Sequence, residues 1–169
     1  MTALTRATRA EDLPVIDRLF RTSFEGTFGH LYSAENLATF FAGFTPEAWQ
    51  REHDDPRFAL RLAELDGRPV GFAKIGPMAL PADHGPDALQ LYQFYLLDEA
   101  KGQGIAGELI IWALSEARAR GADALFLSVF IDNQRARRFY QRHGFVDVGP
   151  YHFMVGDQAD EDVVMKVAL

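Results

Sequence analysis

Gly102, Gly104 and Gly107 stand between an apolar run ending in Tyr95-Leu96-Leu97 and a long amphipathic segment, an arrangement that builds an anion site from backbone alone. The first turn of a helix leaves amide N–H groups without intrahelical partners, and the macrodipole adds partial positive charge there. Phosphate oxygens satisfy both, and residues without a β-carbon let a diphosphate approach the amides of Gln103 to Gly107. Glycines at a strand-to-helix junction can also serve the turn alone, so spacing has to decide. No G-x-x-x-x-G-K-[ST] occurs, which leaves a Walker site unsupported. Gly102-x-Gly104-x-x-Gly107 does spell the dinucleotide fingerprint. It falls past mid-chain, however, and no acid follows at the end of the next strand until Asp132.

A second cluster, Asn133-Gln134-Arg135-Ala136-Arg137-Arg138-Phe139-Tyr140-Gln141-Arg142-His143-Gly144-Phe145, reads as a helix closed by glycine and re-entering a strand. Together the two clusters resemble the GNAT superfamily of acyl-CoA N-acyltransferases. Its Q/R-x-x-G-x-G/A pattern falls on Lys101-Gly102-Gln103-Gly104-Ile105-Ala106, and its N-x-x-A-x-x-F-Y-x-x-x-G-F pattern falls on Asn133 through Phe145 without a gap. Lys101 is the departure: it keeps a positive charge but loses the planar fork of arginine. The resemblance runs from Leu4-Thr5-Arg6-Ala7 to Asp162-Val163-Val164-Met165-Lys166-Val167. Within the superfamily, Gly26 to Tyr32, Tyr95-Leu96-Leu97 and Phe153 to Asp157 look most like the PaiA-like polyamine acetyltransferase branch.

The resemblance implies a three-layer α/β fold with a mixed central sheet of roughly six to seven strands and helices on both faces. It further implies central strands that splay at the start of the long helix, with the pantetheine of an acetyl-CoA cosubstrate inserted between them. On that reading a backbone N–H near Leu96 stabilises the thioester oxygen, and Leu97 pairs with the pantetheine amides. Lys101, Gly102, Gln103, Gly104, Ile105, Ala106 and Gly107 receive the pyrophosphate. Asn133 caps its helix and touches CoA, while Arg135 and Arg142 either meet the adenosine 3′-phosphate or form a solvated helix face. Tyr140 is the general acid: a phenol with a pKa of about 10 stays neutral at physiological pH and can protonate the departing thiolate. Its alternative is a packed aromatic beside Phe139.

The general base is harder to place. Many relatives of this branch carry a glutamate before the central strand residues, and the corresponding position here is Gln90, which cannot take a proton at a useful pKa. Glu64 and His152 are the candidate substitutes, and each also reads as a structural residue. His30 and Tyr32 suit acceptor binding, in a loop whose Phe24, Phe28, Phe40, Phe41 and Phe44 also read as core filling. The histidines show no metal-ligand spacing, so no metal is expected, and Ser128 lacks a G-x-S-x-G elbow.

Composition bounds what remains. At 169 residues, 48% apolar and 24% charged, the chain suits a single domain covering residues 1–169. The lack of cysteine excludes disulfides and an acyl-cysteine step, so acetyl must pass directly to the acceptor. A net charge of −7 argues against a nucleic-acid partner and is compatible with a cationic small-molecule acceptor. No apolar run suits a membrane span and no signal-peptide core follows Met1, so a cytoplasmic protein is expected, with no membrane partner.

The elements that must position these residues follow from the pattern. A strand covers Leu4 to Ala7, and a helix starts at Ala10-Glu11-Asp12-Leu13-Pro14. Ser33 and Thr45 cap two further helices. Phe58 to Leu65 and Pro69 to Ile75 form a hairpin through Asp66-Gly67, followed by a loop over Pro77 to Pro86. Gln90 to Leu97 is the central strand and Gly104 to Arg120 the long helix, ended by Gly121. Leu125 to Phe130, a helix over Gln134 to His143, and strands over Phe145 to Phe153 and Val163 to Val167 complete the chain. The apolar last strand invites pairing, so a homodimer through Val163 to Val167 is expected. The leading function is acetyl transfer from acetyl-CoA to a small primary amine, polyamines first. The alternatives are a catalytically silent CoA-binding sensor and an enzyme for protein or peptide amines.

Overall fold

A computed structural model describes all 169 residues. One seven-stranded sheet runs through it in the order β1-β2-β3-β4-β5-β7-β6. In chain order the strands are β1 (Ala3–Ala7), β2 (Ala59–Leu65), β3 (Arg68–Pro77), β4 (Leu89–Leu96), β5 (Ala124–Phe130), β6 (Val146–Val155) and β7 (Gln158–Ala168). The helices are α1 (Leu13–Phe28), α2 (Ala34–Phe41), α3 (Pro46–Asp54), α4 (Ile105–Ala119) and α5 (Gln134–Arg142).

The expected signals act where they were read. Ser33 Oγ accepts the Asn36 amide at 3.1 Å and Thr45 Oγ1 the Ala48 amide at 3.1 Å, so each satisfies a donor that its helix start leaves open. Asp66 and Gly67 both take positive φ, 51° and 76°, the twist a two-residue hairpin between β2 and β3 requires. Two expectations about the C-terminal strands change. β6 and β7 run longer than the apolar pattern suggested and close in a hairpin at Gly156-Asp157, because polar residues of β7 face a cavity and not solvent. β7 also lies between β5 and β6, hydrogen-bonded to both, so the expected dimer contact through Val163 to Val167 has no free edge to use.

Layering follows from the period-two pattern of the strands. One face buries Leu65, Ile75, Leu91, Leu125, Leu127, Met165 and Val167 against Leu109, Ile110 and Ala113 of α4 and Tyr140 of α5. The other buries Leu62 and Phe72 against Ile16, Phe20 and Phe24 of α1, Phe41 of α2 and Trp49 of α3. No helix is long and apolar enough to cross a membrane.

The position of the site is set where β4 meets β5. Their parallel pairing covers only Leu89 with Leu125 and Gln90 with Phe126, after which the strands part. A bulge opposite Lys74 and Ile75 of β3 makes Tyr92 the extra residue on β4, and such an insertion bends a strand.

Candidate active site

A cavity of about 580 Å³ fills the gap between the parted strands and reaches both faces of the sheet. On the α4–α5 face it is lined by Phe94 and Leu96 of β4, Lys101, Gly102 and Gly104 of the loop, Ala106 and Gly107 of α4, and Asn133, Arg135, Tyr140 and Arg142 at α5. On the α1 face it meets Ser23, Phe24, Thr27 and Phe28 of α1, Tyr32, Gln93 and Tyr95, Ser128 and Phe130 of β5, Phe153 of β6, and Asp160 and Asp162 of β7.

The α4–α5 half is built from unpaired backbone. Leu97 N–H donates to Val70 O at 2.8 Å, which makes Val70 and Leu97 a bonded antiparallel pair. Alternation then turns the N–H and C=O of Leu96 and Phe94, opposite Gly71 and Ala73, away from β3 and into the gap that β5 has left. Gly102 and Gly104 hold φ of 79° and 82°, a left-handed conformation that side chains disfavour, and this turn delivers the chain into α4. Inside α4 the first amide to find its carbonyl is that of Glu108, on Gly104 O, so the amides of Ile105, Ala106 and Gly107 are free for an anion. Positive side chains surround that end: Lys101, which pairs with the exposed Asp98, and the exposed Arg135 and Arg142.

Tyr140 is 8% exposed and packed edge-on against Phe94, Phe139 and Phe145, with centroids 5.5–6.1 Å away. Burial pushes its phenol well above the usual tyrosine range, so it stays protonated across the physiological pH window. Asn133 Oδ1 caps α5 through the Ala136 amide at 3.2 Å.

Several expected residues stand elsewhere. Leu97 has its N–H on Val70 and its C=O on the Ala100 amide, and it does not line the cavity, so its backbone is not free for pantetheine; Phe94 presents the free groups instead. The side chains of Gln103 and Ile105 also point away, the first to Glu99 O at 2.7 Å and the second into the core. His30 is exposed on a short turn outside the cavity, whereas Tyr32 lines it. Gln90 is not at a base position: its buried Oε1 accepts the amides of Ala79 and Leu80 at 2.9 and 3.1 Å and pins the loop after β3. Glu64 is held by Arg6 at 2.9 Å in a network with Asp12, and His152 is exposed on β6, so neither reaches the cavity.

The carboxylates that do reach it, Asp160 and Asp162, were missed. Spaced i, i+2 on a strand, they share one face. Asp160 receives the Tyr32 hydroxyl on one oxygen and Gln158 Nε2, at 3.0 Å, on the other. Asp162 is raised to about 7, chiefly because burial penalises its charge and further because Asp160 lies beside it, with the Ser128 hydroxyl pulling the other way. Tyr32 and Tyr95 are pushed above the ordinary tyrosine range, each mainly by burial.

A family model, the acetyltransferase (GNAT) family, matches residues 14–145, and the chain belongs to that family. An uncharacterised N-acetyltransferase of Mycobacterium tuberculosis is 36% identical over 132 residues, 78% of this chain and 81% of its own. The aminoalkylphosphonate N-acetyltransferase of Salmonella typhimurium is 34% identical over 91 residues, covering 54% of this chain and 58% of that one. Among solved structures, the PaiA N-acetyltransferase of Thermoplasma acidophilum in complex with coenzyme A superposes over 100% of both chains with a TM-score of 0.79 at 20% identity. The protein is thus an N-acetyltransferase of the GNAT fold.

Proposed function

We propose that the protein moves acetyl from acetyl-CoA to a small primary amine, and that cationic di- and polyamines are the acceptor class to rank first. The observation that carries this reading is the division of the cleft: free amides and cations line one half, and buried carboxylates with aromatic rings line the other. The first half suits a phosphorylated thioester, with Ile105 to Gly107 amides, Lys101, Arg135 and Arg142 around the phosphates and the Phe94 and Leu96 backbone along the pantetheine. The Leu96 N–H is available to the thioester oxygen as it gains charge, and Tyr140 to the sulfur as it leaves.

The second half suits an ammonium group, since carboxylates and aromatic faces both attract cations. The Salmonella relative is named for aminoalkylphosphonates. Asp160 and Asp162 would repel a phosphonate at this position, and for that reason polyamines rank above it here. The test is release of free thiol from acetyl-CoA against spermidine, putrescine, an aminoalkylphosphonate, amino acids and a lysine peptide. Turnover highest with the polyamines is expected; turnover highest with the phosphonate would overturn the ranking.

A further inference from the structure

We propose that Asp162 is the base of the transfer, taking a proton from a primary ammonium that Gln93 and Ser23 hold at the α1 end of the cleft; the inference rests on the amine-acetylating reading above. Asp162 is the freer of the two carboxylates. Both Asp160 oxygens are engaged, by Tyr32 and by Gln158, whereas Asp162 is approached by the Ser128 hydroxyl alone. Gln93 Oε1 and Ser23 Oγ are buried without any hydrogen-bond partner, on residues each 8% exposed, and both residues line the cavity. Buried polar atoms are ordinarily paired, so an unpaired amide oxygen and hydroxyl in a cavity wall mark a place for a donor-rich ligand. A primary ammonium offers N–H donors only, and an amide oxygen, a hydroxyl oxygen and a carboxylate are the acceptors that suit it.

Placement agrees. Gln93 and Tyr95 of β4 face α1, as do Asp160 and Asp162, which stand opposite Phe153 and Tyr151 of β6 and beside Ser128 and Phe130 of β5. The Tyr95 phenol is pushed up by burial and then by both Tyr140 and Asp162. The titratable groups around Asp162 are Asp160 on its own strand, Tyr95 on β4, Tyr32 after α1 and Tyr151 on β6; no lysine or arginine lines this half of the cleft. A carboxylate so placed titrates near neutrality, where it can accept a proton and release it again.

Asp162 takes one proton from the ammonium, and the freed nitrogen lone pair forms the N–C bond to the acetyl carbonyl carbon. The C–S bond breaks with its electron pair on sulfur, which takes a proton from Tyr140. The nitrogen's second proton returns to Tyr140, and Asp162 loses its proton to solvent as the amide departs. Asp160 is a positioning residue, since its charge acts on Asp162 and not on the reacting atoms, and Tyr32 holds Asp160 in place.

The experiment compares wild type, Asp162→Asn and Asp162→Glu with the best amine acceptor, over pH 5 to 9, with calorimetric CoA binding on each. Wild type is expected to show a rising limb in kcat/KM centred near pH 7, unmoved when the acceptor is exchanged for one of different amine pKa. Asp162→Asn is expected to lose about 100-fold or more in kcat and the limb with it, while binding CoA as wild type does; Asp162→Glu should restore part of the rate. An Asp162→Asn enzyme within about threefold of wild type, with the limb intact, would overturn the base assignment alone. Wild type that binds CoA yet acetylates no amine would overturn the functional reading, and the base assignment with it. A variant that no longer binds CoA is replaced by Gln93→Leu. That change should raise KM for the amine about tenfold with the pH limb retained, and an unchanged KM would count against the proposal.

Discussion

The two halves of the cleft are made of different material. The half beside α4 is mostly backbone: free amides at a helix start, a strand whose groups face a gap, and glycines at φ near 80°. The half beside α1 is side chains drawn from α1, β4, β5, β6 and β7, brought together only by the folded sheet. A backbone site leaves a local mark in the sequence, because its geometry depends on glycines at fixed spacing. A side-chain site assembled from distant strands leaves none. This is why the glycine loop and the α5 motif stood out along the chain, whereas nothing local marked Asp160 and Asp162. Their i, i+2 spacing was the available signal, and it means something only once β7 is known to begin at Gln158. The same lack of long-range information placed the dimer contact on β7, an inner strand, and aligned Gln90, a loop clamp unable to act as a base, with the glutamate of relatives. Capped helix starts and the Asp66-Gly67 turn were legible because their hydrogen bonds and dihedrals close within a few residues.

The contrast can be broken or sharpened at graded cost. Tyr140→Phe keeps the ring packing and removes the proton, so kcat should fall about 100-fold or more with CoA affinity unchanged; equal turnover would return Tyr140 to a packing role. Gly104→Val forces a branched side chain into φ of 82° and should lower CoA affinity about tenfold by calorimetry, with amine KM little altered. Gln90→Ala strips two amides of their acceptor and should cost about 1–3 kcal/mol in denaturant unfolding, while the surviving folded enzyme keeps its pH profile. Loss of the pH limb in that variant would place Gln90 in the chemistry after all.

Asp162→Asn also has a stability signature. Because burial raises the carboxyl to about 7, the folded state binds a proton that the unfolded chain has released, and stability falls as pH rises from the ordinary carboxylate range to 7. The variant lacks that titration. It should match wild type at pH 4 and exceed it by about 1–2 kcal/mol at pH 8, a figure reduced for the partial access of solvent through the cavity. The smallest effect belongs to Lys101→Ala, whose exposed charge is shared with Asp98; a few-fold loss of CoA affinity, disappearing at high salt, is expected.

The two halves form one continuous cleft, joined at the Phe94–Leu96 backbone. A conjugate carrying CoA sulfur linked through an acetyl bridge to spermidine spans both halves at once, and its affinity can be set against CoA alone by calorimetry. A continuous cleft predicts binding at least about 100-fold tighter than CoA, with most of that gain lost in the Asp160→Asn, Asp162→Asn double variant. A conjugate that binds no more tightly than CoA, or whose gain survives loss of both carboxylates, would contradict it.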